Sequence, residues 1–505
     1  MQGFESATSR QIKSFVSRMY KAGLFILLVL LTAVTAHAQV SAASVKGVIR
    51  DPKGAVIPGA AVTLTNVDTT VEHPTVSNGS GDYAIPSINP GRYVLSATAA
   101  GFTPQKTAEF VLAVGQVSSF DFTLTIGTDT QVVTVDSAAT QLDAAGASLG
   151  TVIETRQVNE LPLDGRNFTA LLALTPGVVP IMVGQSNGMS GSGGFGAAVA
   201  IGSDYSFPAI NGQTNRSNFF LLDGLYNYSA IESTYAVAPI IDAIQEFKVV
   251  SHTDSAEFGG VLGGVVNTVT KTGTNDLHGS AWEYLRNKAF DAEPLFSTEP
   301  SFHQNQFGAA AGGPIWIPKL YNGRNKSFFF GAYQGYRYSK TSNNFIFVPT
   351  DAELAGNLAD NGQYQIYNPY ETTCVAVDGN PCGSYTRPAF EGNQIPTNLI
   401  DQRMVAYAKY VFPAAGPCLQ SSNGVCTANA IDNTPLTQTQ NEFNIRGDQN
   451  FGGKDSAWGR YSFINSTVNS SGGLPGLLTH HEIQARNWGG SFSHIFGPTQ
   501  FLQVQ

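Results

Sequence analysis

In 505 residues the chain carries 28 Lys and Arg against 37 Asp and Glu, a formal net charge of -9, and only 13% of its residues are charged. An acidic balance without a basic tract argues against nucleic acid as the partner, because binding a phosphate backbone takes a concentrated cationic footprint. Gly 53, Tyr 19 and Phe 31 suit short aromatic strands joined by turns, so a mainly β chain is expected.

The first element is an export signal. Arg10, Lys13, Arg18 and Lys21 precede an apolar run at 24–36 that closes on Ala36-His37-Ala38. A helical membrane span needs about 20 residues, so this shorter run fits a signal peptide over residues 1–38, cleaved after Ala38, better than an uncleaved anchor. The remaining sequence has no other apolar stretch long enough to cross a bilayer as a helix. In lipid every backbone polar group must find its partner within the protein, so membrane integration would have to use a closed sheet.

Residues 40–127 alternate β-type runs at 45–50, 61–67, 82–85, 91–99 and 117–124 with the turn signals Asp51-Pro52-Lys53-Gly54, Asn78-Gly79-Ser80-Gly81 and Asn89-Pro90-Gly91. Strands at this spacing predict a β-sandwich. Tyr93, Leu95 and Ala97 share one face of a half-buried strand. The ordered motifs Lys46-Gly47-Val48-Ile49-Arg50-Asp51, Ile57-Pro58-Gly59-Ala60-Ala61-Val62, Gly81-Asp82-Tyr83, Pro90-Gly91-Arg92-Tyr93 and Ala100-Gly101-Phe102 resemble the carboxypeptidase regulatory-like domain, a transthyretin-like sandwich. That resemblance implies a binding or spacer module, with carbohydrate or protein as the ligand class. No His here has the Glu spacing of a zinc peptidase.

Next comes Thr130-Gln131-Val132-Val133-Thr134-Val135, within a linker at 128–140. Its β-branched residues favour an extended backbone that can add to a neighbouring sheet. It resembles a TonB box, the peptide through which a TonB-type energy-transducing protein of the periplasm pulls on a transporter. The other reading is a last strand or linker of the sandwich.

Over 141–274 the sequence predicts a small mixed α/β domain. Leu161-Pro162-Leu163-Asp164-Gly165-Arg166-Asn167 leads into a short helix that ends at Thr175-Pro176-Gly177. Gly184-Gln185-Ser186-Asn187-Gly188 fits the GxSxG spacing of a nucleophile elbow, but low-complexity sequence stands where the helix should follow, which argues against catalysis at Ser186. Pro208-Ala209-Ile210-Asn211-Gly212-Gln213, then Asn218-Phe219-Phe220-Leu221-Leu222-Asp223-Gly224, and then the stretch through Gly259, Gly260, Gly263, Gly264 and Asn267 resemble the plug of TonB-dependent outer-membrane receptors, in the Oar-like branch. Asn211-Gly212 replaces the Arg-Gly of many siderophore receptors, which weakens a siderophore assignment. Asp223-Gly224 predicts a tight turn, with Asp accepting local backbone bonds and Gly taking positive φ. The paired glycines predict close approach of the backbone to a neighbouring wall.

From 275 to 505 longer alternating runs, at 278–286, 305–315, 327–337, 441–449, 457–465 and 485–496, read as transmembrane strands. Between them, 339–439 is polar and contains all four cysteines. Cys374 with Cys382, and Cys418 with Cys426, would each close a local loop, although four cysteines allow three pairings and an exported chain meets an oxidising compartment. Neither pair has zinc-site spacing, and His480-His481-Glu482 lacks the HExxH register. A barrel wide enough to hold a plug has about 22 strands, whereas roughly six to eight are recognisable, so the expectation is an incomplete transmembrane antiparallel barrel, in a fragment of a longer protein or a truncated reading frame.

Taken with the resemblances, these elements imply energy-coupled import of a sizeable nutrient (a carbohydrate, peptide or chelate) across the outer membrane. No catalytic residue, metal or cofactor is expected. The partners would be the TonB-type protein, outer-membrane lipid and an extracellular nutrient ligand. The alternative is a surface binding or adhesion protein that uses the sandwich and transports nothing.

Overall fold

The computed structural model describes residues 42–127, 133–135, 149–181, 207–252 and 262–505, less 162, 164–165, 167, 215–216, 230–233, 294, 296–300, 342–343, 360–363, 423–424, 434, 472–477 and 498–499. The expected signal peptide with its cleavage at Ala38, the Ser186 motif, Thr130 to Val132 and the Gly259-Gly260 pair lie outside the described residues.

Two sheets form the sandwich. One sets Ala43–Arg50 between Asp82–Ile88 and Val117–Ser119, with Phe122–Thr123 also on Ala43–Arg50. The other runs Val133–Val135, Gln105–Thr107, Gly91–Thr98, Ala61–Asn66, Glu72–Val76, with Phe110–Leu112 on Gly91–Thr98. Alternation supplies the core: Val45, Ile49, Val62, Leu64, Tyr83 and Ile85 meet Tyr93, Leu95, Ala97 and Phe122. Each large aliphatic so buried contributes about 1.5–3 kcal/mol. At Gly47 a Cβ would stand 1.8 Å from the Phe120 carbonyl oxygen, so no side chain fits. Glu72–Val76, Gln105–Thr107 and Phe110–Leu112 were not legible as strands, since two are three residues long and the third carries His73-Pro74 on a half-exposed edge.

The second body is a five-stranded mixed sheet in the order Leu149–Glu154, Ile244–His252, Val265–Thr270, Phe219–Leu222, Leu225–Tyr226. Phe219–Leu222 runs parallel to Val265–Thr270, and the other pairs are antiparallel. Helix Thr155–Glu160 and the 3-10 turn Phe168–Leu174 cover one face through Val158, Phe168, Leu171 and Leu172, packed on Phe220, Phe247 and Val266. All six residues of Val265–Thr270 are buried, and on the sheet's second face Glu246, opposite Val269, meets the sandwich at Val114.

A seven-stranded antiparallel sheet follows in chain order: His278–Asn287, Phe302–Pro314, Ser327–Thr341, Pro435–Asn450, Asp455–Ser471, Leu478–Gly497 and Gln500–Val504. The central strands are longer than the sequence pattern suggested, because pairing continues past the point where apolar alternation stops. Its polarity is inverted relative to a water-soluble sheet. On Pro435–Asn450 the inner residues Gln438, Gln440, Glu442, Asn444, Arg446 and Asp448 are buried, while outer Phe443 and Ile445 are exposed. Arg460, Ser462 and Ser466 continue the inner face, and Tyr461, Trp488 and Phe492 the outer. Phe307, Tyr333, Phe443 and Phe463 form an aromatic row across four strands of that outer face, with ring centroids 6.3, 5.0 and 6.2 Å apart in turn. Such a surface is stable only against an apolar solvent.

The short-turn end, where 315–326, 451–454 and 498–499 join the strands, lies opposite the end that carries the longest connection, 342–434. Within the longest connection Cys374 is bonded to Cys382 and Cys418 to Cys426, stapling the hairpins Thr373–Val377 with Asn380–Thr386 and Gln420–Ser422 with Val425–Ala428. The sandwich sits at the short-turn end. There the Asn275 side chain donates to Thr69 O (2.6 Å) and Asn325 Oδ1 (2.7 Å), and Asn325 N donates to Asn275 Oδ1 (2.8 Å).

Candidate functional site

Asp223 and Gly224 take φ of 53° and 76°, the pair of positive values that a two-residue hairpin turn between Phe219–Leu222 and Leu225–Tyr226 requires. Asp tolerates this conformation and Gly accepts it freely. Asn267, on Val265–Thr270, pins the tip by accepting from Gly224 N at 3.2 Å. The turn therefore holds the Asp223 side chain in one direction, and that direction is the wall. The expected local backbone bonds are not what its carboxylate makes. It accepts from Thr270 N (2.8 Å) and Thr270 Oγ1 (2.9 Å) on the neighbouring strand, and from Arg446 Nη1 (2.9 Å) on the seven-stranded sheet.

With Arg446, Asp448 and Arg460 it makes a cluster of four charges. Arg446 donates to Asp448 through Nε (3.1 Å) and Nη2 (2.9 Å), and its guanidinium lies 4.8 Å from the Trp458 ring centroid. Arg460 Nε stands 2.7 Å from Asp223 Oδ2, while its other nitrogens donate to Ser462 Oγ (2.9 Å) and Asn487 Oδ1 (2.8 Å). Asn487 in turn donates to Tyr226 O at 3.0 Å. The side chains of Asp223, Arg446 and Arg460 are 3%, 2% and 0% exposed. Two cations balance two anions, which is the condition for holding charge in a dry site.

Other contacts tie the mixed sheet down. Arg166 pairs with Asp242 and lies over the Trp282 and Tyr284 rings of the wall, at 5.4 and 4.7 Å. Ile240 and Ala243 pack on Ala310, Phe330 and Ala332. Toward the sandwich, Glu246 accepts from Val114 N, and burial pushes its carboxyl up to about 7, against that bond and Lys248, which act downward. A cavity of about 90 Å³ at the junction of the three bodies is lined by His73, Asp223, Arg446, Asp448 and Trp458 among others.

The remaining sequence candidates sort as follows. Asn211 (φ 54°) and Gly212 (φ 73°) form a turn after Phe207–Ile210, and Asn211 Nδ2 donates to Ser251 O at 2.7 Å. Gly263 and Gly264 do permit close approach, but to the same body rather than the wall: a Cβ would stand 2.3 Å from Asn218 Oδ1 at the first and 2.8 Å from Val250 O at the second. Val133–Val135 lies parallel to Gln105–Thr107 at the edge of the sandwich sheet. His480 and His481 are adjacent on a strand, so they point to opposite faces. Arg446, Asp448 and Arg460 were missed. The available signal was a charge in the middle of an amphipathic membrane-type strand, which in such strands usually faces the interior.

This arrangement, with lipid-type surface outside, polar residues inside and a sandwich appended, defines an outer-membrane sheet protein. Comparison agrees: residues 269–505 match the outer membrane beta barrel domain and residues 44–125 the carboxypeptidase regulatory-like domain. The chain is similar to the TonB-dependent transporter Oar of Myxococcus xanthus, 25% identical over 303 residues, which are 56% of this chain and 26% of that protein. It thus spans about a quarter of its relative's length. The outer membrane is its location. Among solved structures it is similar to the outer membrane transporter YddB of Escherichia coli (10% identity, TM-score 0.38, 68% of this chain and 36% of that one). A ferric enterobactin receptor of Pseudomonas aeruginosa is also similar (11% identity, TM-score 0.35, 69% and 39%).

Proposed function

We propose that this chain serves energy-coupled import of a nutrient across the outer membrane, with residues 141–274 acting as a plug against the inner face of an incomplete barrel at 275–505. The observation that carries this reading is the buried cluster of Asp223, Arg446, Asp448 and Arg460. It fastens a hairpin tip of the mixed sheet to the polar inner face of an inside-out sheet, as a gate held in a lumen must be fastened. Ion pairs suit that task, because they are directional and can be exchanged for water when the plug moves.

The pull would arrive through Thr130 to Val135, by strand addition of a TonB-type periplasmic protein. The nutrient is met on the stapled region at 344–432, on the side away from the sandwich. The test is crosslinking from the purified chain to the periplasmic domain of its own cell's TonB-type protein. Val132→Pro with Val133→Pro removes two backbone donors and should abolish capture. Capture that persists in this double variant would refute the coupling role.

A further inference from the structure

At the short-turn end, residues 315–326 read Ile-Trp-Ile-Pro-Lys-Leu-Tyr-Asn-Gly-Arg-Asn-Lys, with three cations and no acid in a chain whose net charge is -9. The segment is an ordered hairpin: Trp316 pairs with Asn322, Ile317 with Tyr321, and Lys319 takes the turn at φ 64°. A hairpin facing water would not place its large apolar groups outward, yet Trp316 is 63% and Leu320 79% exposed. Lys319, Arg324 and Lys326 are exposed too, and among the described residues none forms an ion pair.

Register fixes which way the hairpin leans. Ser327 is opposite Gln449, and both share the alternation of Phe329, Tyr333, Ile445 and Phe443 on the outer face. The Tyr321 hydroxyl hydrogen-bonds the Ser327 hydroxyl, which donates to Gln449 Oε1, so the hairpin folds against the outer side of the sheet. Its apolar surface is therefore continuous with the lipid-facing one. The aromatic row through Tyr333 lies six residues up the strand, about 20 Å along it at 3.3 Å per residue, which at a tilt of about 40° is about 15 Å in height, inside the roughly 25 Å apolar band of such sheets. Arg337 and Arg486 lie over Phe307 and Phe463 at 5.5 and 5.6 Å.

We propose that the hairpin 315–322 is a phospholipid anchor: Trp316 and Leu320 seat at the boundary of headgroups and acyl chains on the sandwich side of the bilayer, while Lys319, Arg324 and Lys326 pair with anionic headgroup phosphates. Amphipathic aromatic residues favour that depth, and cations beside them gain from an anionic surface.

The test places an environment-sensitive fluorophore at Leu320→Cys, with Phe443→Cys and Asp378→Cys as lipid and water references, in the full chain reconstituted into vesicles. Vesicles are phosphatidylcholine alone or with added phosphatidylglycerol. The label at 320 should be quenched by brominated lipid nearly as well as that at 443, and more so with phosphatidylglycerol. Lys319→Gln, Arg324→Gln and Lys326→Gln should each cut the anionic preference by about fivefold. A label at 320 as wet as that at 378, while 443 is in lipid, would overturn the anchor and favour a protein partner for the hairpin. A wet label at 443 would overturn it together with the lipid-facing assignment of the sheet. A dry label at 320 indifferent to phosphatidylglycerol would overturn the headgroup pairing.

Discussion

Replacing Asp223 by Asn tests the fastening of the mixed sheet to the wall. The substitution keeps an oxygen for Thr270 N and for Arg446, and removes one negative charge. Arg446 retains Asp448, but Arg460 is left without a carboxylate at 0% exposure, and the cluster passes from two against two to a surplus of one cation. Stranding one member of a buried pair costs about 3–5 kcal/mol. A second substitution, Arg460→Met, removes the stranded charge, so the double variant should recover about 1–3 kcal/mol of that loss as coupling energy. Equilibrium urea unfolding in detergent micelles reads both, from shifts of the midpoint at constant slope. Trp458, stacked by Arg446, provides a fluorescence signal at the site itself. The reasoning fails if Asp223→Asn costs less than about 0.5 kcal/mol, the scatter expected of surface changes, or if the double variant costs the sum of the singles.

Glu246→Gln should flatten the pH dependence of sandwich docking. A carboxyl raised from 4.5 to about 7 by burial in the folded chain contributes stability that is full below pH 4.5 and is lost as pH rises through 7, and the sandwich supplies part of that burial. His73, which burial pushes down, slopes the other way, so limited proteolysis of the junction should be compared between the Glu246→Gln variant and the native chain across pH about 4.5–7.5. Gly47→Ala should unfold the sandwich by several kcal/mol, measured as lost near-UV ellipticity or early proteolysis, since the added carbon meets the Phe120 carbonyl. Leu95→Ala, at 0% exposure, should cost about 2–5 kcal/mol in the same assay. Thiol titration of the unreduced, denatured chain should find no free cysteine, and Cys374→Ser should expose only Cys382.

Much of the architecture can be read from local pattern. Tyr93, Leu95 and Ala97 alternate because a strand's side chains do, and Asp223-Gly224 makes a turn because few other pairs accept positive φ twice. The change from short strands to aromatic runs after 275 announces an inside-out sheet, since Phe443 and Ile445 alternate with Asn444 and Arg446. Local pattern did not reveal Glu72–Val76 or Gln105–Thr107, where pairing with neighbours outweighs weak propensity.

What the sequence by itself determined was the kind of surface each strand presents and where the chain must turn. Those follow from alternation and backbone sterics, which act over a few residues. Tertiary structure alone decided which charges meet. Asp223 and Arg446 are 223 positions apart, and any of several carboxylates could have served that arginine. The choice was made by sheet register and by the direction of one hairpin tip. In the same way, the outward lean of Tyr321 follows from the face on which Ser327 falls, and that is set by its strand partners rather than by its neighbours in sequence.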